Sequence, residues 1–155
     1  MSEGVLEMNI KSRRQARETA LQVLYQCDTL DDWSNAAVDL CLSRFFSDEQ
    51  YSAVGDDGEC QSYVTQLVNG VRDNLAVIER RISSASQNWS FGRMARVDRN
   101  ILRIAAFEIC FLDEIPGKVS INEAIEIARR FGSSETPAFV NGILDRIAGS
   151  LREAA

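Results

Sequence analysis

Residues 61–85 read QSYVTQLVNGVRDNLAVIERRISSA, and their apolar positions decide the class of fold. Val64, Leu67, Val68, Val71, Leu75, Ile78 and Ile82 recur at steps of three and four, the spacing that lines one side of an α-helix. The pattern predicts a single long core helix through 61–85. Gly70 interrupts it at a cost of roughly 1 kcal/mol against alanine. That cost predicts close packing against a neighbouring element.

Upstream, residues 47–60 (SDEQYSAVGDDGEC) are acidic and turn-rich and predict a mobile loop. Before it, a helix is expected near 35–46, with Ser34 as its cap and Ala37, Leu40, Cys41 and Phe45 turned inward. Ser12 and Gln15 have capping-box spacing, so the first helix is expected to begin near Arg13. Its apolar stripe is Ala16, Ala20, Val23, Leu24 and Cys27. At about 100° per residue, Arg14, Glu18, Leu21 and Tyr25 form a second, exposed line. That line carries a basic head and an aromatic ring.

Downstream, Trp89 and Phe91 are expected to pack near a short turn or helix, followed by a helix over 98–113 with Ile101, Ile104, Ala105 and Phe107 or Glu108 inward. Pro116-Gly117 marks a break, and Ser120 with Glu123 gives a second capping box. Ala124, Ile125, Ala128 and Phe131 follow, with Gly132 as the terminator. Thr136-Pro137 starts a last helix with the stripe Val140, Ile143, Leu144, Ile147 and Leu151. The sum is about seven helices, with no convincing strand and no internal repeat: an all-α chain.

Composition narrows the function. The 155 residues are 45% hydrophobic with only two prolines, enough apolar side chains for a real core. The opening MSEGVLEMNIKSRR has no signal-like apolar run, and no stretch has membrane-spanning length. The chain reads as cytoplasmic. Cys27, Cys41, Cys60 and Cys110 form no C-x-x-C pair, so buried thiols are expected, with Cys60 the one that could be exposed. There is no histidine, which removes the usual general base and the commonest metal ligand. No phosphate-binding glycine motif is present, and Asp31, Asp32, Asp48, Glu49, Asp56 and Asp57 lie in turn-like sequence suited to solvated charge. No enzyme, no metal and no cofactor is expected.

The net charge is −6, but it is unevenly spread. Residues 11–17 (KSRRQAR) hold four positive charges and no acid, 18–60 hold ten acids and one base, and 61–112 hold seven arginines against four acids. Such a chain repels a polyanion on average yet can hold one along a basic strip.

Three stretches resemble the NusB family of transcription antitermination factors: RRQARETALQVLYQ (13–26), VDRNILRIAAFEI (97–109) and IPGKVSINEAIEIARRFGSSETPAFVNGILDRIA (115–148). The last is the most specific, because the KVSINEAIEIA helix, a glycine-led turn and an FVNG helix occur in fixed order. The resemblance implies one bacterial, cytoplasmic NusB-like domain over 1–155, made of two packed helical subdomains at about 12–85 and 86–152. It implies binding to the single-stranded boxA element of ribosomal-operon leader RNA together with NusE, a small-subunit ribosomal protein. It also implies action in the RNA polymerase antitermination complex, no catalysis, and homodimers in some members.

By the same resemblance, Arg13, Arg14 and Arg17 match the arginine-rich opening, Tyr25 and Phe139 match RNA-contacting aromatics, Asp98 an acid near the bases, and Glu135 an acid that influences RNA affinity. Arg99, with Arg96, extends the basic surface. The alternatives stay open residue by residue. Tyr25 can be a rim residue of the core, Asp98 a helix cap, Phe139 half-buried packing, and Arg103 a partner for an acid inside the fold. Gln15 and Ala138 stand where some relatives carry a base, which implies weaker binding alone and more dependence on the partner. Two other functions compete: an accessory RNA-recognition module of an RNA methyltransferase, and a protein–protein scaffold using the acidic 28–60 surface.

Overall fold

The computed structural model describes residues 3–47, 58–87 and 89–154. These residues form seven α-helices and one short 3₁₀ turn: α1 Glu3–Leu30, α2 Asn35–Phe46, α3 Glu59–Asp73, α4 Leu75–Ala85, the turn Phe91–Arg93, α5 Arg96–Phe111, α6 Gly117–Phe131 and α7 Thr136–Ala154. No strand occurs among the described residues. Most of the acidic 47–60 segment, residues 48–57, lies outside them. The chain divides into two compact units, Met1–Asn69 and Gly70–Ala155. The division falls inside α3 rather than after residue 85.

In the first unit α1 packs on α2. The expected stripe Ala16, Ala20, Val23, Leu24 and Cys27 has no solvent exposure. α1 starts at Glu3, well before Ser12. Once a helix is nucleated, each further residue adds a hydrogen bond at little cost, so a local capping pattern inside good helix formers need not stop it. Leu21 is buried as well, so the second line on α1 is not a continuous exposed strip.

A short, well-bonded turn joins α1 to α2. Asp31 adopts φ 49°, the Ser34 N–H donates to Asp32 Oδ1 at 3.0 Å, and Ser34 Oγ accepts the Ala37 N–H at 3.2 Å. The predicted cap is therefore in place. α2 buries Val38, Cys41 and Leu42, while Leu40 is exposed. The inward face is thus rotated from the expected Ala37–Leu40–Cys41–Phe45 set onto the i, i+3, i+4 triplet Val38, Cys41 and Leu42. Cys27, Cys41 and Cys60 are buried, Cys60 contrary to its expected exposure. Burial, reinforced by Cys41, pushes the Cys27 thiol up to about 12, so it is an inert, protonated core group.

The predicted single helix over 61–85 is two helices meeting at Asn74. Asn74 Nδ2 donates to the Gly70 carbonyl at 2.8 Å, and the Asn74 N–H shares the Gly70 and Val71 carbonyls. A side chain that competes for the helix's own acceptors breaks the ladder at this point. The apolar stripe survives the break: Val71, Ile78 and Ile82 are fully buried.

The second unit is arranged around α5, whose residues Asn100–Glu108 are all buried. It contacts α4, α6 and α7, and α7 also packs on α4 and α6. Arg103, the largest polar member of this interior, finds most of its partners locally, although its Nε has no hydrogen-bond partner. Arg103 donates to Glu79 Oε1 and Asn100 Oδ1, each at 2.7 Å, and its guanidinium lies 4.7 Å from the centroid of the Phe91 ring. Phe91 thus packs at the short turn as expected, whereas Trp89 is exposed.

α6 starts at Gly117, directly after Pro116, whose carbonyl accepts the Val119 and Ser120 N–H groups. Ser120 is consequently inside the helix and buried rather than capping it. The helix is already under way by Ser120, so the downstream capping box has no helix start to cap.

Two glycines are required by close approach. A Cβ on Gly70 would stand 2.1 Å from Phe107 Cζ. Gly132 ends α6 in an extended conformation, φ −93° and ψ −174°, not the left-handed one usual for terminating glycines. It is glycine because a Cβ would stand 2.5 Å from Thr136 Cβ. In an open helix interior Gly→Ala stabilises by up to about 1 kcal/mol; here overpacking against Phe107 reverses the sign. Gly70→Ala should lower stability by about 1–3 kcal/mol in urea denaturation, and pairing it with Phe107→Leu should recover part of the loss.

Candidate nucleic-acid interface

In the first unit the basic stretch of α1 is built around Tyr63. The guanidinium of Arg13 lies 5.5 Å and that of Arg17 5.8 Å from the centroid of the Tyr63 ring. Arg13 and Arg14 are exposed, whereas Arg17 is only 3% exposed. The positive charge of Arg17 is thus held against a ring inside the unit, where cation–π attraction offsets part of its desolvation. It does not present its guanidinium to solvent, as the sequence reading expected of all three. Arg13 also borders a cleft of about 210 Å³ shared with Glu59, Ser62, Tyr63 and Gln66.

Tyr25, at 42% exposure, leaves much of its ring open. Arg14 and Tyr25 are eleven positions apart, which places them about 20° apart around the axis and about 16 Å along it. Two cationic heads and a ring therefore lie along one helix, although buried Leu21 and half-buried Glu18 intervene.

In the second unit the start of α5 meets the start of α7. Thr136 Oγ1 donates to Asp98 Oδ1 at 2.9 Å and accepts the Ser133 N–H at 3.0 Å. Ser133 Oγ lies 3.2 Å from Thr136 Oγ1 and accepts the Glu135 N–H at 3.4 Å. The Glu135 carbonyl accepts the Phe139 N–H at 3.2 Å. Asp98, Glu135 and Phe139 are thereby tied to one knot of hydroxyls centred on Thr136. Glu135 is exposed, and Asp98 and Phe139 are half-buried. Burial raises the Asp98 carboxyl above its ordinary value, although the bond from Thr136 opposes this.

Arg99 stands beside Asp98 in sequence, but its guanidinium lies 5.8 Å from the Phe91 ring centroid. It is half-buried rather than fully extended into solvent. Arg96, one turn earlier, is exposed.

The NusB family model matches residues 14–149. The chain belongs to the NusB family. The transcription antitermination protein NusB of Geotalea daltonii is 46% identical over 142 residues, covering 92% of this chain and 97% of that one. NusB of T. maritima, a solved structure, is 36% identical with a TM-score of 0.73, covering 88% of this chain and 90% of that chain. A crystal structure of antitermination factors NusB and NusE in complex with dsRNA shares the fold at 21% identity and a TM-score of 0.74, covering 90% of this chain and 98% of that one.

For a NusB-family chain, sequence reasoning missed Tyr63 and Thr136. Tyr63 flanks the apolar stripe of α3 and has no motif of its own. Thr136 was legible as a helix start but not as a hydroxyl donor to a carboxylate 38 positions away. Among the described residues, no three metal-ligating side chains converge, and no helix is long and apolar enough to cross a membrane.

The Asp98–Thr136 bond can be tested by titration. Removing the donor with Thr136→Val should raise the Asp98 carboxyl further, read by ¹³C NMR. Because its folded value lies above the ordinary 3.8, the folded state binds the extra proton. The contribution of Asp98 to stability is then fully present below that ordinary value and is lost as pH rises through the folded one. Urea melts of the wild type minus Asp98→Asn should show a difference that falls with rising pH through that window.

Proposed function

We propose that this chain is a transcription antitermination factor. It binds single-stranded boxA RNA of ribosomal-operon leaders together with NusE and acts in the antitermination complex of RNA polymerase. It is a regulatory RNA-binding protein of the bacterial cytoplasm rather than an enzyme.

The observation that carries this reading is the flank of α1, where exposed Arg13 and Arg14 stand on the same helix as the open ring of Tyr25. Single strands are held by cations along their phosphates and by rings on which bases stack. Arg13 and Arg14 are the phosphate contacts and Tyr25 the stacking platform. Arg17, buried against Tyr63, is a positioning residue that holds the basic stretch of α1. In the second unit, Asp98 and Glu135 supply acceptors for base amino groups, Phe139 offers a half-open ring, and Arg99 borders them.

With two exposed α1 arginines on phosphates, the salt dependence from this helix is a slope of about −1.4. That is too little for tight binding by a protein of net charge −6. A second protein that adds contacts is therefore needed, and NusE is that partner. The crystallised complex of NusB and NusE with dsRNA supports NusE as the partner.

Fluorescence anisotropy with a boxA-like RNA, with and without NusE, tests the proposal. Binding should be weak alone and clearly enhanced by NusE. Tyr25→Ala should lose about 1–3 kcal/mol, and Arg14→Ala should weaken binding and flatten the salt slope by about 0.7. Neither change should move the melting temperature much, whereas Arg17→Ala should lower it as well as the affinity. Equal affinity for a scrambled RNA would refute the function, and full binding by both Arg14→Ala and Tyr25→Ala would refute the site.

A further inference from the structure

The second unit carries another cationic feature, wholly separate from the residues considered above. A groove of about 530 Å³ runs between α4 and α7, lined by Val77, Arg80, Arg81 and Ser84 from the first helix and by Arg146, Ile147 and others from the second. Its lining includes three arginines, no acid and no aromatic ring. Arg80, Arg81 and Arg146 are all exposed. Among the described residues none of them forms an ion pair.

One of the three is held in place. Arg146 Nη1 donates to the Ala85 carbonyl at 2.7 Å, which fixes the guanidinium at the groove wall with its remaining donors unspent on that bond. Val77 is 42% exposed at the groove, and Ile147 lies in its buried floor. Val77, Arg80, Arg81 and Ser84 are spaced i, i+3, i+4, i+7, so they form one open helical face.

We infer that this groove is a docking surface for an acidic amphipathic protein segment, whose carboxylates meet Arg80, Arg81 and Arg146 and whose aliphatic side chain covers Val77. Guanidinium groups pair with carboxylates through two parallel hydrogen bonds, and an exposed valine beside them gains from an apolar partner. A nucleic-acid strand fits less well. It offers phosphates to the arginines, but its bases find no ring to stack on, and nothing in a sugar–phosphate backbone covers Val77. The partner class is therefore a protein with a Glu- or Asp-rich segment interrupted by leucine-like residues at helical spacing.

The test uses the full chain and a fluorescein-labelled peptide of repeating Glu-Glu-Leu, about twelve residues or three helical turns long. Anisotropy should show binding that Arg80→Glu with Arg81→Glu weakens about tenfold or more. The charge-matched control Arg129→Glu with Arg130→Glu, on α6, should change it less than about twofold. Amide NMR shifts caused by the peptide should cluster at 77–84 and 146–150. Should the charge reversal impair folding, seen by circular dichroism, Arg80→Gln with Arg81→Gln supplies the same comparison. Equal weakening by groove and control variants would overturn the proposal by reducing it to bulk charge. So would peptide shifts centred elsewhere, or an oligouridine that binds the groove more tightly than the peptide does.

Discussion

The second unit depends on a helix whose middle has no solvent face. Residues 100–108 of α5 are buried on every side, so the polar groups among them must find partners inside the protein. Arg103 does so through Asn100, Glu79 and the Phe91 ring. Leaving that guanidinium without its acid would strand a buried charge, at a cost of about 3–5 kcal/mol. The placement of α4, which carries Glu79, and of the short turn, which carries Phe91, is therefore fixed by one side chain. Apolar contacts alone do not discriminate in this way. They reward any close packing, whereas the arginine accepts only one arrangement of donors and acceptors.

The first unit solves a different problem, concentrating positive charge on one stretch of a helix in an acidic chain. Three arginines within five positions repel one another, and Tyr63 lessens the conflict by drawing two of them to a single ring. Arg17 is withdrawn from solvent, and Arg13 keeps its exposure while its orientation is restrained. This stretch of α1 thus presents fewer charges than its sequence counts, but holds them in defined directions.

Much of the fold was legible in the sequence because helical periodicity is a strong, local signal. The stripes of α1, α3, α4 and α7 lie in the core as read except for Leu75 and Leu151, which are half-buried, and Ser34, Pro116-Gly117 and Thr136-Pro137 mark the boundaries expected of them. The misreadings share a cause. Ser12 and Ser120 have the spacing of caps but sit inside helices, because neighbouring residues determine where a helix begins. Asn74 breaks the helix beneath a continuous stripe by a side-chain hydrogen bond that periodicity does not register. For the candidate site only the exposure of its members can be compared with the reading, and Arg14 and Tyr25 are open to solvent as expected. Whether an arginine reaches solvent, as Arg14 does, or folds back onto a ring, as Arg17 does, depends on a residue more than forty positions away.

The hydroxyl knot around Thr136 bears on the economics of recognition. A flexible link between α6 and α7 would have to be ordered whenever Glu135 and Phe139 engaged a ligand, and that loss of freedom would subtract from affinity. Here Gly132 lets Thr136 approach closely, and Ser133 and Asp98 lock it on two sides. The conformational entropy is surrendered during folding, before any ligand arrives. A surface prepared in this way gives up adaptability in exchange for a smaller ordering cost at any later encounter.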